Sequence, residues 1–207
     1  MTQADGLGLV RLLLLVLCLA VAGASAAAEP ASPSATVEKL HATLLAMMKE
    51  GQALGYGGRV ARIGPVLDET FNFETIGRVV TGRHWKALAA EKRNAFLGTF
   101  RNLSTATYAD NFASYGGEVF KTLGEEIKKG ASLVRTQIVK SDGSTVSLNY
   151  VLNKTGEQWR IVNVIAEGVS DLALKRSEYG AVIGKDGIDA LIAKLEAKIA
   201  SYAAHNK

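Results

Sequence analysis

Two hydrophobic periods divide the chain. From Thr36 to Ser114 apolar residues recur in steps of three and four, the signature of helices with one buried face. Thr36 is a candidate cap for a first helix with Val37, Leu40, Leu44, Leu45 and Met48 along one side. The glycine-rich stretch Gly51 to Gly58 predicts its end. A second helix is predicted from Arg59 to Thr70, with Ile63, Val66 and Leu67 inward and Pro65 kinking it or delaying its start. Asn72 predicts the cap of a third helix, stapled by Phe71 on Ile76 and ended by Gly82, with Trp85 in the turn that follows. The longest helical stretch runs from about Ala90 to Ser114. Its stripe is Phe96, Phe100, Leu103, then Thr107 or Tyr108, then Asn111 or Phe112, a large aromatic face.

After Gly116-Gly117 the period falls to two. Val119 to Leu123, Ser132 to Lys140, Thr145 to Leu152 and Trp159 to Ala166 read as four strands. Asp142-Gly143 and Thr155-Gly156 predict hairpin turns, which makes the last three strands antiparallel neighbours. Val146, Leu148, Tyr150 and Leu152 share one face of the third. The fourth is apolar on both faces, which predicts cover on both sides. Helical spacing returns from Ser170 to Val182 and from Asp186, a cap, to Tyr202. Helices, a meander of strands and helices again predict an α+β fold.

The N-terminus departs from both patterns. One basic residue, Arg11, precedes an unbroken apolar run from Leu12 to Ala22, shorter than the roughly 20 residues a membrane span needs. Ala24-Ser25-Ala26 follows with the small-x-small spacing of a signal-peptidase site, and Ala26-Ala27-Ala28 offers a second register. Residues 1–26 are therefore expected to be a cleaved secretory signal peptide and the protein to work outside the cytoplasm. Residues 27–35, rich in Pro, Ser and Ala, read as a tether, 36–203 as one domain and 204–207 as a tail. Cys18 lies inside the apolar run behind the bulky Leu17, which argues against acylation there. Cleavage after Ala26 removes this single cysteine, so the domain has no disulfide and no thiolate chemistry. About 180 residues remain, enough for one domain with a real core.

Charge changes the picture little. The leader carries one acidic and one basic residue, so the net charge of +4 persists after cleavage. Basic residues are spread along the chain without interleaved aromatics, which excludes a nucleic-acid-binding stripe.

Candidate chemistry is sparse. His41, His84 and His205 share no metal-ligand spacing, and no metal or other cofactor is expected. Glu125 and Glu126 are adjacent on a strand or turn and point apart. No Gly-rich loop joins a strand to a helix, and neither Ser170 nor Ser177 sits in a nucleophile elbow. What the chain does have is an excess of large apolar side chains facing a curved sheet. Patterning alone does not separate a filled core from one that leaves a pocket.

Several motifs resemble a known family. They are Phe71-Asn72-Phe73 leading to Gly82 and Trp85, the run from Phe96 to Tyr108 followed by Tyr115-Gly116-Gly117, and Trp159 to Val164 followed by Glu167 to Ser170 and Arg176 to Tyr179. In order and spacing, from about Val37 to Tyr202, the chain resembles the periplasmic lipid-carrier family of MlaC, the toluene-tolerance auxiliary component. Leu54-Gly55-Tyr56 with Gly58-Arg59 is similar to the hopanoid-biosynthesis-associated HpnM branch. Asn72 and Asn163 stand where relatives usually carry aspartate, and Asp171 to Lys175 also differs. Asn caps as well as Asp, whereas the lost charge at Asn163 puts in doubt any salt bridge made there.

The resemblance implies helices and a bent antiparallel sheet of about four strands around an apolar cavity that holds lipid tails. It implies a soluble, monomeric periplasmic carrier of phospholipid or hopanoid-type lipid, without catalytic residues. Its partners would be a membrane-embedded ABC-type lipid transporter complex and an outer-membrane component. The expected cavity lining is Phe96, Phe100, Leu103, Tyr108, Leu148, Tyr150 and Val164, with Arg59 and Arg176 as candidates for a head-group or partner contact. Two other readings stay open: an enzyme on a hopanoid precursor using Tyr108, Tyr150 or His84, and an interaction scaffold with a filled core.

Overall fold

The computed structural model describes residues 32–206. The expected signal peptide and most of the expected tether lie outside the described residues. Among the described residues, five α-helices and a five-stranded antiparallel sheet make an α+β fold.

Helix α1 spans Pro33–Lys49. Its cap is Ser32, whose Oγ accepts from the Ala35 N–H at 3.1 Å, and not Thr36. Proline at the first helical position loses no hydrogen bond, so the helix begins within the stretch read as a tether. Thr36 is buried inside the helix and donates to the Trp159 carbonyl at 3.1 Å, tying α1 to the sheet.

The glycine stretch holds the expected break at one residue and is helical on either side of it. Helix α2 runs from Gly51 to Thr70 and is broken at Gly55, which adopts φ 59° and ψ 179°. Pro65 lies within it without a further break. Gly51 is required by packing, since a Cβ there would collide with the Ala113 carbonyl oxygen.

Helix α3 covers Phe73–Thr81, with Asn72 Oδ1 accepting from the Thr75 N–H at 2.9 Å as its cap and Gly82 as its end. A short 3₁₀ turn at Gly82–Ala87 contains Trp85 and leads to α4, Ala90–Asn111.

The strands are β1 Val119–Lys128, β2 Ala131–Val139, β3 Thr145–Thr155, β4 Gln158–Ala166 and the two-residue β5 Val169–Ser170, in that spatial order. Strand β1 is twice its expected length. Leu123 is an extra residue between the Thr122 and Gly124 pairings, and this bulge breaks the alternation on which the sequence reading relied.

A second bulge corrects the reading of β4. Leu148, Tyr150 and Leu152 pair with Ala166, Val164 and Ile161, and residues opposite one another share a face. Val162 is the unpaired extra residue. It reverses the parity of β4, so Trp159 and Ile161 face the core on one side of it and Val164 on the other. The strand is apolar at odd and even positions because it bulges, not because both faces are covered.

Helix α5 spans Asp171–His205 and is interrupted at Gly187 (φ 84°, ψ 173°), so its two helical segments meet close to the expected start of the last helix at Asp186. The helix reaches His205, within the expected tail, and its C-cap Asn206 donates to Asp110 Oδ1 at 2.8 Å and accepts from Arg59.

Helix α1 covers the inner face of the sheet, and α4 packs between α2 and α5. The α2–α3 junction is fixed to β4 by the Asn72 N–H, which donates to the Ile161 carbonyl at 2.9 Å. That link sets Phe71 and Phe73 at the edge of the space between α4 and the sheet.

A candidate ligand cavity between helix α4 and the sheet

An apolar cavity of about 260 Å³ opens between α4 and the β3–β4 face. Phe100, Leu103, Thr107, Tyr108 and Asn111 recur at helical spacing and form the wall on α4. Leu148, Val164 and Ala166 form the opposite wall with the bulge residue Val162. Leu67, Phe71, Phe73 and Ile76 close one end.

The aromatic residues form a continuous chain of ring contacts. From Phe96 it passes to Phe100, Phe73, Phe71, Tyr108 and Phe112, with centroids 5.8–5.9 Å apart at each step. It continues to Phe120 at 6.2 Å and to His41, stacked on Phe120 at 4.3 Å. Offset and edge-to-face contacts of this kind stabilise by about 0.5–1.5 kcal/mol each beyond area burial.

Polar groups sit at the α5 end. Asp171 and Lys175, one turn apart, form an ion pair on the first turns of α5. Ser170 Oγ caps that helix by accepting from the Ala173 N–H at 3.1 Å. Asn163 Oδ1 accepts from the Ser170 hydroxyl and from the Leu172 N–H, both at 3.1 Å. What this position supplies is an acceptor oxygen, so asparagine serves here without a charge.

Five of the expected lining residues, Phe100, Leu103, Tyr108, Leu148 and Val164, meet at the cavity. Phe96 is not among its walls; it lies fully buried behind Phe100 and edge-on to Tyr179. Tyr150 is likewise fully buried, its hydroxyl 2.9 Å from His41 Nε2.

Arg59 is buried away from the cavity. Its guanidinium donates to the Ala109 carbonyl at 2.8 Å, the Gly51 carbonyl at 3.0 Å and Asn206 Oδ1 at 2.7 Å. This joins α2, α4 and the C-terminus and keeps the guanidinium buried, away from the cavity. Arg176 is exposed beside Gly82, outside the cavity walls.

Phe71, Phe73, Val162 and the Asp171–Lys175 pair were not foreseen as cavity residues. Phe71 was legible only as a staple, and Val162 needed the bulge.

Burial keeps two phenols and one imidazole neutral. Burial, with the negative charge of Asp171, pushes the Tyr108 phenol well above its usual range, and burial does the same to Tyr150. Burial pulls His41 down to about 4. Among the described residues no group of three His, Cys, Asp or Glu side chains is placed to hold a metal ion, and no helix is long and apolar enough to cross a membrane.

The family model described as "MlaC protein" matches residues 38–197, most of the chain and both walls of the cavity. The chain belongs to the MlaC family. Among curated proteins it is similar to the intermembrane phospholipid transport system binding protein MlaC of Haemophilus influenzae, with 29% identity over 131 residues. That alignment spans 60% of this chain and 61% of the relative, so it covers less than two thirds of either. Among solved structures, it is similar to a phospholipid-binding protein from Ralstonia solanacearum in complex with a phospholipid. The TM-score is 0.71 at 22% identity, over 84% of this chain and 99% of the other. At that identity the likeness establishes the shared α+β fold.

Proposed function

We propose that this MlaC-family protein is a soluble lipid carrier of the periplasm. The observation that carries the reading is the cavity: an aromatic and aliphatic pocket between α4 and the sheet, with polar groups gathered at the α5 end. Exposing lipid tails to water costs about 0.8 kcal/mol per methylene. Two chains with roughly 30 methylenes thus face a barrier on the order of 20–25 kcal/mol. A carrier lowers that barrier by keeping the tails dry. Phe100, Leu103, Tyr108, Leu148 and Val164 would touch the tails, and Asp171 and Lys175 would meet the head group.

A cavity of about 260 Å³ is near the lower bound for even small-molecule pockets, about 300–1,000 Å³. Loading a two-chain lipid therefore requires α4 and the sheet to move apart. The glycine breaks at Gly55 and Gly187 mark where the helical layer can bend.

Phospholipid is the proposed cargo, supported by the two similar proteins, one a phospholipid transport system binding protein and the other bound to a phospholipid. A hopanoid-type lipid is the alternative, supported by the HpnM-like stretch Leu54 to Arg59. Export through residues 1–26 would place the domain between two membranes, where an ABC-type transporter complex and an outer-membrane component would exchange lipid with it.

Transfer of a fluorescent phospholipid between donor and acceptor vesicles tests the proposal. The full-length mature protein should accelerate transfer in proportion to its concentration. A rate equal to the protein-free control would refute carriage.

A further inference from the structure

Phe71 and Phe73 line the apolar cavity on one side and a second, polar pocket of about 370 Å³ on the other. That pocket surrounds the first turn of α3 and is bounded by Arg78, Arg101 and Arg160, with Asp68 and Glu74. Three guanidinium groups face two carboxylates, which leaves a net positive charge. The α3 N-terminus adds its partial positive charge.

The arginines are under-committed. Arg160 makes two hydrogen bonds among its five N–H donors: to Gln158 Oε1 at 3.0 Å and to the Asp68 carbonyl at 3.5 Å. Its Nε–H is buried without a partner among the described residues, an arrangement that costs free energy until an acceptor arrives. Arg101 pairs through Nε with Asp68 at 2.7 Å and lies 5.5 Å over the Phe73 ring, and its remaining guanidinium nitrogens make no hydrogen bond among the described residues. Arg78 is exposed and makes no ion pair or side-chain hydrogen bond among the described residues. Forked guanidinium donors converging on one concave site suit a tetrahedral oxyanion.

We propose that the pocket bounded by Arg78, Arg101 and Arg160 is a binding site for a phosphate group. That phosphate belongs either to the head group of a lipid seated with this end past Phe71 and Phe73, instead of at Asp171 and Lys175, or to a free phosphate in solution. The site stands independently of whether the protein carries lipid.

The test follows arginine Nε–H cross-peaks of ¹⁵N-labelled mature protein. In one arm inorganic phosphate is titrated. In the other the protein is equilibrated with phosphatidylglycerol vesicles. Saturable phosphate-induced shifts at Arg160 and Arg101 are expected, with affinity about tenfold weaker in Arg78→Gln and in Arg160→Gln. Shifts produced by the vesicles, with loss of phosphate binding, identify a lipid head group as the source. Phosphate binding indifferent to lipid identifies free phosphate.

The proposal is overturned if neither probe moves these cross-peaks, or if equal shifts persist in both variants. Arg78 is exposed, so Arg78→Gln keeps the fold and the comparison valid if Arg160→Gln does not. Phosphate binding without any response to the phosphatidylglycerol vesicles would leave this site in place and count against that phospholipid head group only, while carriage is tested separately by vesicle transfer.

Discussion

The Tyr150 hydroxyl lies 2.9 Å from His41 Nε2 between α1 and the sheet, with Phe120 stacked on the imidazole at 4.3 Å. Each polar group satisfies the other, so both can be buried beneath the cavity rather than exposed to its contents. The folded imidazole titrates near 4, against an ordinary value of 6.5, because burial penalises its charged form. The unfolded chain therefore binds more protons between those pH values, and stability must fall as pH drops through them. The loss should reach about 3 kcal/mol by pH 4. Denaturant melts of His41→Gln, which keeps a polar partner for Tyr150, should show a shallower decline over that window.

Filling the cavity should separate cargo from fold. Val164→Trp places an indole against open space, so stability should change by less than about 1–2 kcal/mol. Lipid recovered with the protein should drop severalfold. Extraction and thermal melting of the same sample read both quantities. A filled core at this position would instead give an unfolded variant.

Arg59 should matter to the fold and not to binding. Replacing it with Met strands two buried carbonyl groups, at Gly51 and Ala109, and detaches Asn206. A loss of about 2–4 kcal/mol is expected in urea unfolding. The lipid content per folded molecule should be unchanged.

Gly51→Ala tests whether the α1–α2 junction is a flexible break or a close contact. The Cβ would meet the Ala113 carbonyl, so the two segments must separate. Overpacking of this kind costs about 1–3 kcal/mol, measurable as a lower urea midpoint.

The helices of the domain were legible wherever one face is apolar, as in α1 and α4, and caps such as Asn72 and Gly82 fell where side-chain chemistry placed them. Bulges were not legible. Leu123 and Val162 each insert a residue, and a period-two pattern with one insertion looks like the end of a strand or like a strand buried on both sides. The cavity was legible in part for a related reason. Helical spacing put Phe96 and Phe100 on one stripe, yet only their depth decides that Phe100 meets the opening and Phe96 lies behind it. Tyr150 and Arg59 were misplaced because a sequence does not reveal which buried polar group has found a partner.

Carriage requires that the cavity hold lipid. Native mass spectrometry of the mature protein, purified without detergent, measures this directly. A mass above the polypeptide by one lipid is predicted, released on organic extraction and diminished in Val164→Trp. A spectrum showing only the bare polypeptide, unchanged after incubation with phospholipid or hopanoid vesicles, would contradict it.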